Sequence, residues 1–422
     1  VTETVAAKPF ANRAASWRIV SVGLLGFASG LPLALSGSAL QAWFTTAGMD
    51  LKTIGWLTLV GQAYVFKFLW APLIDRFAAP WLGRRRGWIA LMQLLCAAAL
   101  IAMSAYEPRG AAATIAFLAV LLAFASATQD IAYDAHRTDL LRPSERGWGT
   151  ALSQGGYRLA MLTSGALGLI LADQLGWAST YRLMGALMLL AVAVTWLSPD
   201  GPTAQPPRSF ADTLVLPFAD FFRRHGVWIA IGWLALMVLY KLGDAFGQTL
   251  ATAFLLREVG FSLTEVGTIN KAFGLASGLL GALIGGYLVT RVRLVPALLV
   301  VGVLQALTNL GYIWLISTGP DREALAIVVI AENLVGGMGS TAFVVLLTAL
   351  CNVRFSATQF ALLSSLAAVG RVFLGPLAAS MIESIGWAPF FVITALAALP
   401  GLALIVVMAG RIREVEAQRA GT

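Results

Sequence analysis

The feature that most constrains this chain is the recurrence of apolar runs long enough to cross a bilayer. A helix of about 20 apolar residues matches the hydrocarbon thickness, and in lipid only helices and closed barrels satisfy every backbone polar group. Reading these runs between charged and Pro/Gly breaks predicts twelve helical spans. They lie near 17–39, 53–75, 87–106, 111–138, 147–172 and 178–198, then 226–256, 263–289, 294–317, 324–350, 357–382 and 387–410. Composition agrees: 59% of the 422 residues are hydrophobic and 12% charged, about half the usual charged share. The expected fold class is an all-α, multi-pass membrane protein. The polar opening of the sequence gives no expectation of a removable signal peptide.

Lys and Arg outnumber Asp and Glu by 29 to 21, an excess that in a soluble chain would suggest nucleic acid. Its distribution points elsewhere. Most of the cations fall on the N-terminal segment, the even-numbered connections and the tail; Lys52, Arg109, Arg182, Arg257 and Arg322 fall on the opposite side, and the remaining five lie within spans. Because Lys and Arg are retained in cytoplasmic loops, both termini are expected in the cytoplasm, and no nucleic-acid partner is expected. The stretch 199–225, with Pro199, Pro202, Pro206, Pro207, Arg208, Arg223 and Arg224, reads as a cytoplasmic linker. It divides residues 1–198 from 226–422, each with six spans. Cys96 and Cys351 lack metal-ligand spacing, and His136 and His225 are the only histidines. No metal, cofactor or nucleophile–base pair is expected, and so no enzyme.

The two halves are related. Gly48, Leu51, Ile54 and Gly55 recur half a chain later as Gly260, Leu263, Val266 and Gly267; Arg158 recurs as Arg371, and Gly176-Trp177 as Gly386-Trp387. Asp75-Arg76 corresponds to Thr290-Arg291, with the acid lost. Six spans per half is an even number, so the halves enter from the same face as a parallel repeat. Such halves can rock about a shared midplane site without covalent chemistry.

Charges within the spans mark where that site belongs. Lys67, Asp130, Asp134, Arg158, Lys241, Asp244, Lys271, Glu332 and Arg371 would together cost on the order of 25 kcal/mol if they faced lipid, so a hydrated interior is expected for them. Spans three, six, nine and twelve carry no mid-span charge. Asp130 and Asp134, beside Gln129, share one helical face, where mutual repulsion favours reversible protonation of one of them; pairing with Arg158 or loop cations is the alternative. Glu332 with Asn333 is either a second proton site or a structural hydrogen-bond pair. Lys67, Arg158, Lys241, Lys271 and Arg371 suit an anionic substrate. Lys241 and Asp244 could instead neutralise one another, and Gln62, Tyr64 and Lys67 form a polar strip on the second span.

Leu73-Ile74-Asp75-Arg76 followed by Gly83-Arg84-Arg85-Arg86 resembles the loop signature of the major facilitator superfamily, with Ala71 in place of its first glycine. A narrower resemblance is to the AmpG-type muropeptide permeases. It rests on GFASGLPLALSGSALQAW (Gly26–Trp43), LVGQAYVFKFLWAPLIDR (Leu59–Arg76), SATQDIAYDAHRTDLL (Ser126–Leu141) and Gly156-Tyr157-Arg158. These blocks cover the first half densely and the second more sparsely. The resemblance implies the major facilitator fold of two six-helix bundles, with the four uncharged spans facing lipid. It further implies a monomeric, proton-driven importer of anhydro-muropeptides from periplasm to cytoplasm in a bacterial inner membrane, serving cell-wall recycling and feeding β-lactamase induction.

On that reading Asp130, Asp134 and Glu332 couple protons. Gln62, Tyr64, Lys67, Gln129, Tyr157, Arg158, Lys241, Asp244, Lys271 and Arg371 bind substrate. Asp75, Arg76, Arg84 and Arg85 form either a cytoplasmic gate, in which Asp75 latches a helix end of the other half, or a headgroup anchor. The alternatives are a proton-coupled antiporter exporting drugs, siderophores or other organic anions and, in another class, a non-transporting membrane sensor. The fold itself supports several transport directions. A nucleotide-driven pump would need a phosphate-binding Gly-x-x-x-x-Gly-Lys-Ser/Thr loop, which is absent from the sequence.

Overall fold

The computed structural model describes residues 13–77, 79, 82–142, 145–200, 210–352 and 356–420. Every regular element among the described residues is helical. The chain begins with α1 (Arg13–Leu35) and α2 (Ser38–Thr46). The second expected span is built from short pieces: α3 (Leu51–Trp56), a 3-10 turn (Leu57–Gly61), α4 (Gln62–Phe66), a second 3-10 turn (Lys67–Leu69) and α5 (Ala71–Arg76). There follow α6 (Arg84–Met103), α7 (Pro108–Leu140), α8 (Arg146–Met161), α9 (Gly168–Leu175) and α10 (Trp177–Leu197). A π-helical segment, Leu162–Leu167, joins α8 to α9.

The later part contains α11 (Phe210–His225), α12 (Val227–Gln248), α13 (Ala251–Ala253), α14 (Leu263–Glu265), α15 (Gly274–Arg291) and α16 (Leu294–Asn309). It ends with α17 (Gly311–Thr318), α18 (Arg322–Leu350), α19 (Ser356–Phe373), α20 (Gly375–Ile385), α21 (Trp387–Leu396), α22 (Leu399–Val407) and α23 (Ala409–Ala420). Further π segments occupy Phe254–Val259 and Val266–Phe273. Among the described residues, eleven helical stretches are long and apolar enough to cross a membrane. The broken segment Leu51–Arg76 supplies the twelfth position in the sequence order.

Local chemistry explains where helices start. The Asp50 carboxylate caps α3 by accepting from the Thr53 amide at 2.8 Å and the Thr53 hydroxyl at 2.6 Å, which holds it below the usual carboxylate range. Half a chain later Ser262 and Glu265 form a reciprocal capping box on α14. The corner glycines of the repeat match as well: Gly48 and Gly260 have φ of 76° and 91°, and Gly176 and Gly386 both have φ of 80°. Left-handed backbone of this kind excludes most side chains, which is why glycine stands at both copies.

The chain divides into two compact units. The first is Val1–Leu40 with Leu69–Pro207, and the second is Gln41–Phe68 with Arg208–Thr422. The segment Gln41–Phe68 thus belongs to the first half by connectivity and to the second unit by packing, because α3 lies on α20 and the following 3-10 turn lies on α19. In the first unit α1 packs along α8 through small residues: a Cβ on Gly156 would stand 2.1 Å from the Gly23 carbonyl oxygen. In the second, α15 and α18 meet in the same manner, Gly337 against the Gly278 carbonyl and Gly281 against that of Leu334. Without a hydrophobic drive between helices in lipid, such close backbone approach supplies the packing energy.

Residues 210–225 form α11, whose Phe221 is buried in the apolar core of the second unit with Trp233, Tyr240, Leu298 and Phe343. Exposed apolar side chains such as Leu190, Trp196, Leu307 and Val407 lie on the uncharged spans, but Phe117 and Leu283 are equally exposed on α7 and α15. An apolar surface this extensive belongs against acyl chains.

Candidate functional site

In the first unit, α7 carries the acidic pair and α1 and α8 surround it. Asp130 is buried, and the Ser29 hydroxyl of α1 donates to its carboxylate. Asp134, one turn on, is more than half exposed and pairs with Arg137 at 3.2 Å. The two acids therefore have different surroundings, one buried and accepting from the Ser29 hydroxyl, the other in a surface ion pair. Arg137 also donates to the Ser153 hydroxyl at 3.2 Å, and Ser153 lies 2.5 Å from the Tyr133 hydroxyl, which donates to the Val22 carbonyl at 2.8 Å. Tyr157 packs its ring against Gly30 and is within electrostatic range of Asp130 and Asp134. Gln129 is wholly buried, and neither end of its amide has a hydrogen-bond partner among the described residues. Arg158 is exposed beside Gln154 and Gly155 on α8.

The second unit gathers a denser set. Lys241 and Asp244 on α12 are 3.8 Å apart, each less than one-fifth exposed. The Lys241 ammonium also donates to the Ser340 hydroxyl at 3.3 Å and lies 5.9 Å from the Phe343 ring centre. Glu332 on α18 is buried and accepts from the Asn333 amide at 2.8 Å. It is within electrostatic range of Asp244, Lys241, Lys271 and Arg371, and within hydrogen-bonding reach of Gln248. Gln248 in turn donates to the Tyr312 hydroxyl at 3.2 Å. Three cations and one carboxylate from three other helical segments thus converge around one buried acid. The arrangement can hold an anion and redistribute a proton, because any change of charge at Glu332 is felt by all four neighbours. Gln62, Tyr64 and Lys67 are half-buried on the broken segment of the same unit.

At the end where the Arg cluster stands, Arg85 pairs with Asp139 of α7 at 3.3 Å. Arg86 pairs with Asp200 and donates to the Ser198 carbonyl at 2.6 Å. The side chains of Asp75, Arg76 and Arg84 lie outside the described residues. Among the described residues no group of His, Cys, Asp and Glu is arranged to hold a metal ion. Ser29, Tyr133, Ser153, Gln248, Tyr312 and Ser340 were not singled out by sequence. The signal was present for Gln248, an amide inside an apolar run, but neutral polar groups stand out less than charges.

A multi-pass helical bundle with ionic clusters inside its spans suits a membrane carrier. The sequence matches the Major Facilitator Superfamily over residues 22–351. It is 52% identical over 387 residues to the anhydromuropeptide permease of Escherichia coli K12, covering 91% of this chain and 78% of that one. It is 34% identical to a putative transporter AmpG 4 of Rickettsia conorii, over 92% and 96% of the two chains. Among solved structures, a bacterial homologue of the human lysosomal transporter Spinster, inward-facing and unoccupied, superposes with a TM-score of 0.73 at 15% identity. That match covers 96% of this chain and 98% of the other. A POT family transporter gives 0.72 at 14% identity, covering 93% and 96%. The chain belongs to the Major Facilitator Superfamily. It is a multi-pass inner-membrane transporter and not an enzyme.

Proposed function

We propose that this transporter imports anhydro-muropeptides from the periplasm to the cytoplasm, driven by the proton gradient, through alternating access of its two six-helix halves, 1–198 and 226–422. The observation that carries the reading is the 52% identity to the anhydromuropeptide permease of Escherichia coli across 91% of the chain. The chemistry of the clusters supports it. Such a ligand offers carboxylates to Lys67, Arg158, Lys241, Lys271 and Arg371, an amine to Asp244, and sugar hydroxyls to Gln62, Tyr64, Gln129 and Tyr157. Asp130 and Glu332, buried and hydrogen-bonded, are the groups whose protonation changes most in consequence; Asp134, paired with Arg137, assists. Asp75, Arg76, Arg84 and Arg85 act at the cytoplasmic gate, with both termini on that side. The working unit is the monomer.

The test is uptake of a labelled anhydro-disaccharide peptide into proteoliposomes with an imposed proton gradient. Wild-type protein accumulates the label, and a protonophore abolishes accumulation. Asp130→Asn is expected to retain exchange of internal for external substrate while losing gradient-driven accumulation by tenfold or more, about 1.4 kcal/mol of coupling or greater. Accumulation at the wild-type level in Asp130→Asn would remove that residue from proton coupling. Failure of the wild-type protein to move the label would remove the substrate.

A further inference from the structure

The molecule carries a second concave surface, distinct from the ionic clusters. It is a half-open cavity of about 190 Å³ in the second unit. Phe218 and Phe221 of α11 form one wall, Leu234 of α12 and Leu366 of α19 two others, and Phe66 and Phe68 close it from the broken segment. The volume is on the scale of the ~150 Å³ apolar cavities that take up benzene. It admits part of one alkyl chain and not a disaccharide. Polar groups in the lining are Gln359 and Ser365. Gln359 is committed: its Oε1 accepts from Arg224 at 3.1 Å and its Nε2 donates to Asp220 at 3.1 Å. A sugar or a carboxylate inside would find few free partners, at the cost of its hydration.

The position of α11 identifies what reaches this cavity. The helix ends at Gly226, whose φ of 74° turns the chain directly into the span beginning at Val227. It therefore lies at the boundary of the bilayer, on the side where the sequence concentrates its Lys and Arg. Its outer surface is apolar where a water-exposed helix would be polar: Val215 is 58% exposed, Leu216 44% and Phe218 39%. The next helix opens with Trp228 at 85% exposure. Arg223 is exposed at the same end of α11, whereas Arg224 is held by Asp220 at 2.9 Å and by the Leu350 carbonyl at 3.2 Å. An apolar strip with a cation at its end, lying along the interface, has the charge and shape complementary to an anionic lipid.

We propose that α11 and the cavity behind it form a binding site for an anionic glycerophospholipid, one acyl chain entering between Phe218 and Leu366 and the phosphate meeting Arg223. The occupant is a lipid of the surrounding leaflet, not the transported solute, so the site stands whether or not the transport reading does.

The full-length protein, purified and exchanged into detergent, is titrated separately with phosphatidylglycerol and phosphatidylethanolamine, and retained lipid is counted by native mass spectrometry. Phosphatidylglycerol is expected to be retained in preference, and Arg223→Gln to reduce that preference about fivefold, the effect of one cation near a lipid surface. Leu366→Trp, which fills the cavity, is expected to lower retention of both lipids. A second measurement serves if Leu366→Trp fails to fold: Phe218→Trp, at a partly exposed position, adds fluorescence that phosphatidylglycerol brominated on its acyl chain should quench. Equal retention of the two lipids with no effect of Arg223→Gln would overturn the proposal. So would unquenched Trp at position 218, or binding of detergent alone.

Discussion

At the scale of single residues, Arg18 and Glu145 join α1 to the start of α8. The guanidinium donates to both carboxylate oxygens, at 2.5 and 3.1 Å, and both side chains are largely buried. The Arg18 hydrogen bond, helped by the Arg142 amide, holds Glu145 below its ordinary range against the opposing effect of burial. A depressed carboxylate contributes stability that is present above the unfolded value, about pH 4.3, and fades as pH falls through the folded one. Glu145→Gln is therefore expected to lose about 1–3 kcal/mol at neutral pH. The gap from wild type should close as the pH is lowered toward 3, as read by thermal unfolding of detergent-solubilised protein. A gap that widens with acid would contradict this assignment. Residue chemistry was legible in the sequence where partners are neighbours, as in Lys241 with Asp244 and Glu332 with Asn333. It was not legible for Ser29 with Asp130 or Gln248 with Tyr312, because those pairs are made by helices meeting in space.

At the scale of elements, adjacent glycines give a controlled comparison. A Cβ on Gly156 would meet the Gly23 backbone and one on Gly337 the Gly278 backbone, whereas Gly155 and Gly336 have nothing within 4 Å. Gly156→Ala and Gly337→Ala are expected to cost about 1–3 kcal/mol through overpacking. Gly155→Ala and Gly336→Ala should be neutral or slightly stabilising, since alanine is the better helix former. Thermal unfolding of the four variants side by side checks this; equal losses across all four would show that backbone approach does not set helix packing here. The sequence declared most elements by apolar length, yet it concealed two kinds of detail. Helix α11 lies inside the Pro- and Arg-rich stretch 199–225, whose composition does not announce a helix. The π segments at 162–167, 254–259 and 266–273 leave no mark in hydropathy, because a wider turn changes which face a residue occupies without changing the residue.

For the whole molecule, the contacts of the segment Gln41–Phe68 bear on the transport cycle. Arg257 donates to the Thr45 and Met49 carbonyls at 3.3 and 2.6 Å, and Lys52 pairs with Glu383 at 2.9 Å. The Gly55 backbone packs on Gly375. All of these contacts lie within the second unit and join residues of the first half by connectivity to helices of the second half; on the proposed import reading they part during the cycle. With Cys96 and Cys351 replaced, cysteines at positions 52 and 383 joined by a short bifunctional thiol reagent should stop uptake, while a monofunctional reagent should not. Uptake that continues through the cross-linked protein would mean that this contact never opens.

The paired corners at Gly48 and Gly260, and at Gly176 and Gly386, carry a historical consequence. A forebear half as long, bearing one set of these bends, would have needed an identical sibling to enclose any passage, with every mutation imposed on both copies at once. Fusing the siblings into a single gene released that constraint. Within one chain the two arms can differ, as Asp75 and Thr290 do at corresponding positions.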